Sequence, residues 1–182
     1  VGIAETYLKN HNIEIVVANE ILKKRAQFHQ DMHPNCETIC GDITNQKVYQ
    51  QVLTRAKAHQ CDFLIATPPC QGMSIAGKMK ENDPRNTLIK FVVEMIKELQ
   101  PTNALIENVG GVLKTYILVN GKSIKIVDYV NNELTPLGYV INPVILDAAD
   151  YGTPQTRRRA LFLISKIAKW QEPKKQKKIT VR

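Results

Sequence analysis

Short apolar runs alternate along the chain with segments whose apolar residues recur every three or four positions. The short runs predict buried β-strands at residues 13–20, 36–43, 61–67, 103–109, 139–148 and 160–165. The periodic segments predict amphipathic helices at residues 21–32, 45–59, 86–99 and 125–138. This alternation is typical of an α/β fold with a mostly parallel sheet and helices on both faces. The Asn-Gly pair at residues 120–121 predicts one tight hairpin.

Polar side chains follow four of the predicted strands. Glu20 ends the first, Asp42 follows the second, Cys70 follows the third after two prolines, and Glu107 ends the fourth. The carboxyl ends of strands in such a sheet meet at the ligand crevice, so we expect these groups along one edge. An acid in this position can accept hydrogen bonds from ribose or adenine, although it also commonly caps a helix.

Cys70 in the stretch "TPPCQG" allows three interpretations. It could be a buried structural thiol, a redox cysteine or a nucleophile. A redox pair would need a second cysteine nearby, whereas two prolines with fixed φ angles supply a rigid support for a nucleophile. A carboxylic acid such as Glu107 facing the thiol would suit addition to an electron-poor ring.

The charge is concentrated near the end of the sequence. The chain has 182 residues and a net charge of +8, and residues 151–182 contain 10 of its 25 Lys and Arg but one acid, Glu172. A basic segment favours a polyanionic partner. We interpret residues 174–178 as a solvated charged run and treat Arg157 to Arg159 separately. No apolar run is long enough to span a bilayer, and the four cysteines favour a reducing, cytoplasmic location.

Three motifs occur in one order: Pro-Pro-Cys-Gln at residues 68–71, Glu-Asn-Val at 107–109 and Gln-Thr-Arg-Arg-Arg at 155–159. They resemble the signature motifs of the cytosine-5 DNA methyltransferases. Residues 74–89 are similar to that family's catalytic loop and the following helix, and "ANE" and "GDI" are similar to its cofactor motifs. The resemblance implies a Rossmann-like fold that depends on S-adenosylmethionine, and methylation of cytosine in double-stranded DNA, typical of restriction-modification systems.

The resemblance also implies roles for individual residues. Cys70 would add to C6 of a cytosine flipped out of the duplex. Glu107 would hydrogen-bond the ring at N3 and the amine, and Arg159 would hold the O2 carbonyl oxygen. Arg157 would support the site and a nearby phosphate.

The cofactor assignments follow from the same resemblance. Glu20 would bind the ribose hydroxyls and Asp42 the adenine amine. The side chains expected to line the adenine pocket are Ile21, Ile43, Pro68 and Leu88.

Two parts of the family pattern are not found in this sequence: the glycine-rich loop for the methionine part of the cofactor, and a target recognition domain. We expect residues 1–170 to form a catalytic domain incomplete at its N-terminus, followed by a basic segment at 171–182. The missing parts would come from further segments or a second chain. Two alternatives remain open, a transfer RNA cytosine-5 methyltransferase and a non-catalytic partner subunit that binds cofactor or nucleic acid.

A zinc site is a competing hypothesis for His29, His33, Cys36 and Cys40, which fall within twelve residues. Pro34 interrupts this segment, and the two cysteines bracket a predicted strand. We therefore expect no metal.

Overall fold

The computed structural model describes residues 8–69 and 87–179. The chain divides into two compact units, Val1–Cys61 and Asp62–Arg182. Both contain strands and helices, which confirms the predicted α/β class. The assignment of residues 1–170 to one catalytic domain stays a prediction. Within the described ranges, no helix is long and apolar enough to cross a bilayer.

The first unit is a strand–helix repeat. A short 3-10 helix, Leu8–His11, precedes β1 (Val17–Glu20), α1 (Lys23–Met32), β2 (Glu37–Cys40) and α2 (Gln46–Ala58). The strands pair in parallel, with Glu20 opposite Cys40. The buried side chains of this unit include Ile39 of β2, Ala26 of α1, and Tyr49, Leu53 and Ala56 of α2. Asn45 caps α2, because its side-chain oxygen accepts a 2.9 Å hydrogen bond from the Lys47 amide.

The second unit contains a four-stranded sheet in the order β3-β4-β8-β7. Its strands are β3 (Phe63–Ala66), β4 (Asn103–Asn108), β7 (Val140–Asp147) and β8 (Arg158–Ser165). β3 and β4 are parallel, whereas β8 is antiparallel to both β4 and β7. The pairing is therefore mixed rather than mostly parallel, because the late strands form an antiparallel pair that adds to β4 through β8.

The other elements of this unit are α3 (Leu88–Leu99), the hairpin β5 (Tyr116–Val119) and β6 (Lys122–Lys125), α4 (Ile126–Leu134), and short 3-10 helices at Gly110–Lys114, Thr135–Leu137 and Ala148–Tyr151. Asn120 and Gly121 both have positive φ angles, 50° and 77°. A tight hairpin requires this conformation at its two central residues, so the Asn-Gly prediction is confirmed.

The core of the second unit lies where the sheet meets α3 and α4. Its fully buried side chains include Ile89, Val93, Ile96, Ile106, Val130, Leu134, Phe162 and Ile164. Burying each large apolar side chain contributes about 1.5–3 kcal/mol relative to exposure. The buried residues of α3 recur every three or four positions, as the sequence pattern predicts. This packing holds β4 and β8 rigidly side by side.

Candidate active site

An ion pair joins the ends of β4 and β8. Arg159 Nε lies 2.7 Å from Glu107 Oε1, and both side chains are roughly three-quarters buried, with 26% and 29% exposure. Glu107 is directly opposite Leu161 in the antiparallel pairing. Arg159 stands two residues before Leu161 on the same face, so it reaches Glu107 diagonally. The two motifs therefore meet side chain to side chain.

The remaining polar atoms of this pair have different environments. Arg159 Nη1 donates a 2.9 Å hydrogen bond to the Arg158 carbonyl, which fixes the guanidinium plane. Glu107 Oε2 has no hydrogen-bond partner among the described residues. One carboxylate oxygen is thus held by the arginine, and the other is available to a ligand.

Asn108 ties the end of β4 to the segment that precedes Cys70. Its side chain is 2% exposed. The amide nitrogen donates a 3.2 Å hydrogen bond to the Pro68 carbonyl, and the amide oxygen accepts a 2.8 Å bond from the Val109 backbone. The Glu-Asn-Val motif therefore contacts the Pro-Pro pair directly, as expected of motifs at neighbouring strand ends. Cys70 itself lies outside the described residues, and its position stays a prediction.

A second carboxylate fixes the turn before the arginines. Asp147 Oδ1 accepts hydrogen bonds from the Arg157 amide at 2.9 Å and the Ala149 amide at 3.2 Å. The Ala148 amide donates to the Arg157 carbonyl at 3.1 Å. Arg157 thus has a fixed backbone and an exposed side chain, and the structure does not pair it with Glu107 as it pairs Arg159.

Two residues with positioning contacts are assigned no role by the sequence patterns, Asn108 and Asp147. A signal existed for Asn108, because it stands within the Glu-Asn-Val motif. Asp147 ends a strand as Glu20 does, and the same rule of polar residues at strand ends would have selected it.

The basic run at residues 174–178 is exposed, as a solvated segment should be, but two of its lysines form ion pairs. Lys175 Nζ and Lys178 Nζ lie 3.0 and 3.2 Å from the two carboxylate oxygens of Asp150. Hydrogen bonds from these lysines lower the pKa of Asp150, and the bond from Lys175 has the larger effect. The same bond raises the pKa of Lys175. The physical reason is local charge, because both lysines lie within ion-pair distance of the same carboxylate.

The first unit places the two predicted cofactor-binding acids, Glu20 and Asp42, at the carboxyl ends of adjacent parallel strands. Glu20 Oε1 accepts a 3.0 Å hydrogen bond from the Leu22 amide, and Asp42 Oδ1 accepts bonds from the Thr44 amide and hydroxyl at 2.9 and 2.8 Å. Each acid thus binds the turn that follows its strand, but neither is the helix cap that the alternative interpretation expected, because α1 begins after Leu22 without a side-chain cap and Asn45 caps α2. Ile21 is 58% exposed, and Ile43 is half-buried.

Gly41 brings the strand end close to α2. A Cβ at this position would lie 2.7 Å from Val48 Cγ2, which leaves no room for any larger residue. The glycine thus helps to set the position of the next residue, Asp42. Pro68 and Leu88 are half-buried in the second unit, and their place beside the acids of the first unit stays a prediction.

The zinc hypothesis has no support in the described geometry. His29 Nδ1 is 2.8 Å from Thr38 Oγ1, and its ring centroid lies 4.8 Å from that of His33. Cys40 is exposed and directs its thiol toward the Ile21 carbonyl. Over the described residues, no three His, Cys, Asp or Glu side chains converge as a metal site.

Comparisons with known proteins agree with the motifs. Over 186 aligned residues the chain is 45% identical to the type II methyltransferase M1.HgaI of Avibacterium volantium, covering 99% of this chain and 52% of that protein. It is 34% identical to M.DdeI of Desulfomicrobium norvegicum, covering 76% and 32%. The chain thus spans about half, or less, of these relatives.

Solved structures show the same fold. A protein described as a DNA modification methyltransferase from an E. coli prophage is 26% identical with a TM-score of 0.63, covering 84% of this chain and 40% of that one. DNMT2 of Spodoptera frugiperda is 20% identical with a TM-score of 0.68, covering 100% and 53%, a likeness of fold alone. The family model for C-5 cytosine-specific DNA methylase matches residues 1–181. The chain belongs to the C-5 cytosine-specific DNA methylase family.

Proposed function

We propose that the complete protein transfers a methyl group from S-adenosylmethionine to C5 of cytosine in DNA, as a cytoplasmic type II modification enzyme. The observation that carries this proposal is the Glu107–Arg159 pair at 2.7 Å. An acceptor and a cation held together can read one edge of a cytosine, whose amine donates and whose O2 accepts. Asn108 connects this pair to Pro68, two residues before Cys70.

The proposed chemistry begins with the thiolate of Cys70. Its sulfur forms a bond to C6, and the electron pair of the C5–C6 double bond moves to C5 and the ring. Glu107 and Arg159 hydrogen-bond the ring and stabilise the charge that develops there. After C5 is methylated, a base removes the C5 proton, the double bond re-forms, and the thiolate leaves.

The target base must leave the duplex before Cys70 can reach C6. Flipping costs a few kcal/mol of stacking and pairing. Because Arg159 has its plane fixed by the Arg158 carbonyl and is paired with Glu107, these two side chains are in place before the base arrives. Preorganisation of this kind reduces the entropy lost on binding.

The first unit supplies the proposed nucleoside end of the cofactor site. S-adenosylmethionine would provide the electrophilic methyl group. Glu20 and Asp42 fit ribose and adenine because they stand at neighbouring strand ends, the usual place for such contacts. The exposed Ile21 and half-buried Ile43 would flank the ring, with Pro68 and Leu88 lining the same pocket. The methionine end would need the glycine-rich loop from elsewhere in the complete protein or a partner chain, as would recognition of a specific DNA sequence.

The covalent step can be tested by trapping. The complete protein is incubated with S-adenosylmethionine and a mixed-sequence duplex in which 5-fluorocytosine replaces cytosine. Fluorine cannot leave as a proton does, so a complex that survives denaturing electrophoresis is expected. Cys70→Ser should form none, while the matched control Cys61→Ser should trap normally.

Two outcomes would overturn the proposal. Trapping by Cys70→Ser would remove the cysteine from its role. Methyl transfer to transfer RNA, with none to duplex DNA, would assign the substrate to RNA instead.

A further inference from the structure

The segment after β8 is attached at both ends to the second unit. The Trp170 carbonyl accepts a 3.4 Å hydrogen bond from Asn142, and its ring centroid lies 6.1 Å from that of Phe63. Six residues later, the Gln176 amide donates a 2.8 Å hydrogen bond to the Asp150 carbonyl. We call residues 170–179 the docked segment.

Asp150 and Gly152 form the surface that receives this segment. Asp150 binds Lys175 and Lys178 through its side chain and Gln176 through its backbone. A Cβ on Gly152 would lie 2.6 Å from Gln176 Oε1, and its φ of +81° also favours glycine. The side chain of Gln176 therefore packs directly on the glycine of the turn before the arginines.

The four lysines of the docked segment divide into two pairs. Lys175 and Lys178, three residues apart, lie on Asp150. Lys174 and Lys177, also three residues apart, are exposed. In the part of the chain that the structure describes, neither Lys174 nor Lys177 has a carboxylate at ion-pair distance. One pair is used internally, and the other is exposed to solvent.

The exposed pair, Lys174 and Lys177, belongs to a segment that docks beside the turn preceding Arg157, which we call the arginine turn. Asp147 fixes the backbone of Arg157, and the same 3-10 turn, Ala148–Tyr151, contains Asp150. Arg157 is exposed, and the only acid in residues 151–182 is Glu172. The exposed cations Lys174, Lys177 and Arg157 suit a chain of phosphates, since backbone phosphates recur at regular spacing and attract lysine without regard to sequence.

We propose that Lys174 and Lys177 bind backbone phosphates of duplex DNA next to the arginine turn, on a segment that Lys175 and Lys178 dock onto Asp150. This inference rests on the proposed function for the identity of the polyanion. It adds a phosphate-binding surface outside the motifs and explains why only half of the lysine run is internally paired.

The test measures how DNA affinity depends on salt. Fluorescence anisotropy with the complete protein and a labelled 30-base-pair mixed-sequence duplex gives the slope of log K against log[KCl]. Each lost phosphate contact reduces this slope by about 0.9, so Lys174→Gln/Lys177→Gln should reduce it by about 1.8. Lys24→Gln/Lys57→Gln, which removes two exposed lysines from α1 and α2, should leave it unchanged.

The docking half of the proposal has a separate readout. Hydrogen exchange of peptides covering residues 170–179 should quicken in Lys175→Gln/Lys178→Gln, because the segment loses the two ion pairs that hold the Gln176 amide against the Asp150 carbonyl. It should stay at the parent rate in Lys174→Gln/Lys177→Gln. Exchange that quickens equally in both variants would overturn the division into docking and outward lysines.

The remaining outcomes separate this inference from the proposed function. An unchanged slope in Lys174→Gln/Lys177→Gln, with methylation of DNA intact, would overturn the phosphate surface alone. An equal reduction in the Lys24→Gln/Lys57→Gln control would reduce the effect to net charge and would also overturn it. A parent protein that neither binds duplex DNA nor methylates it would overturn both.

Discussion

Arg159 and Glu107 face each other diagonally across the β4–β8 pair, with 2.7 Å between Nε and Oε1. Fifty-two positions of sequence separate them, yet the antiparallel register alone brings them together. The neighbouring Arg158 lies on the opposite face of β8 and is exposed. One arginine of the run thus faces the acid, and the adjacent one provides a natural control.

Glu107→Gln is expected to lower the rate of methyl transfer by about 10²–10⁴-fold, a range typical of a group acting in proton transfer or on transition-state charge. Affinity for duplex DNA should change much less, since the contact strengthens only as the ring reacts. Single-turnover methylation and a separate binding titration distinguish the two effects. Normal turnover with weak binding would make Glu107 a structural residue.

Arg159→Ala should impair methylation strongly, because it removes both the ring contact and the partner of Glu107. Arg158→Ala should retain most activity, since the contact described for Arg158 is made by its backbone carbonyl. Methylation rates of the two variants, measured side by side, test whether only the arginine that faces Glu107 is required. Equal loss in both would mean that charge in the run matters more than the face of the strand.

Asn108→Ala should lower the free energy of unfolding by about 1–3 kcal/mol, because the half-buried Val109 amide and Pro68 carbonyl would each lose a partner. The covalent step should slow as well, since the support for the segment before Cys70 is weakened. Asn103→Ala, at the other end of β4, is the control for denaturant unfolding and trapping rate. Slower trapping in the control alone would remove Asn108 from a positioning role.

Gly41→Ala should destabilise the first unit by about 1–3 kcal/mol, the usual cost of overpacking. The added methyl group would meet Val48 Cγ2 at 2.7 Å, and valine has little rotamer freedom in a helix. Val48→Ala in the same protein should recover much of the loss, which thermal unfolding of the single and double variants would measure. Additive losses would place the strain elsewhere.

Tyr139 gives a pH-dependent prediction at alkaline pH. Its hydroxyl donates a 2.7 Å hydrogen bond to the Pro101 carbonyl, and burial raises the pKa of Tyr139 from 10.0 to about 12. Because the folded-state pKa is raised, this stabilisation is complete below about pH 10 and is lost as the pH rises toward 12. Lys166 Nζ, 5.0 Å from the ring centroid, is the cation that faces this group.

Tyr139→Phe should cost about 1 kcal/mol at neutral pH. It should also remove the latest tyrosine step in an absorbance titration at 295 nm. The stability of the variant should depend less on pH between 10 and 12 than that of the parent. An unchanged titration curve would show that another tyrosine ionises last.

Local pattern predicted the elements well because burial imposes a period on each of them. The helix predicted at 86–99 is observed as Leu88–Leu99, and the hairpin turns at Asn120 and Gly121. β8 starts at Arg158, two residues before its apolar run, because Asp147 of β7 pairs with Arg158. The polar end of a neighbouring strand sets that boundary, and a single-strand pattern contains no information about it.

The structure joins two of the predicted site residues, Glu107 and Arg159, by a contact that the sequence does not predict. The motifs selected Glu107 and Arg159, yet a diagonal pairing across two strands depends on a register that no local pattern encodes. The docking of Lys175 and Lys178 has the same origin. Their partner, Asp150, is separated from them by the whole of β8, so a charge run with no apolar period was interpreted as solvated.

The central place of β8 in its sheet has a consequence for biosynthesis. Chains emerge from the ribosome in order, and β4 is complete fifty residues before Arg158 appears. Until β8 inserts, β4 presents an open edge of the kind that recruits other chains. The acid at its end also has no arginine partner. A translation product that stops before Arg158 would therefore expose this edge and be aggregation-prone, so the synthesis of β8 governs the solubility of the second unit.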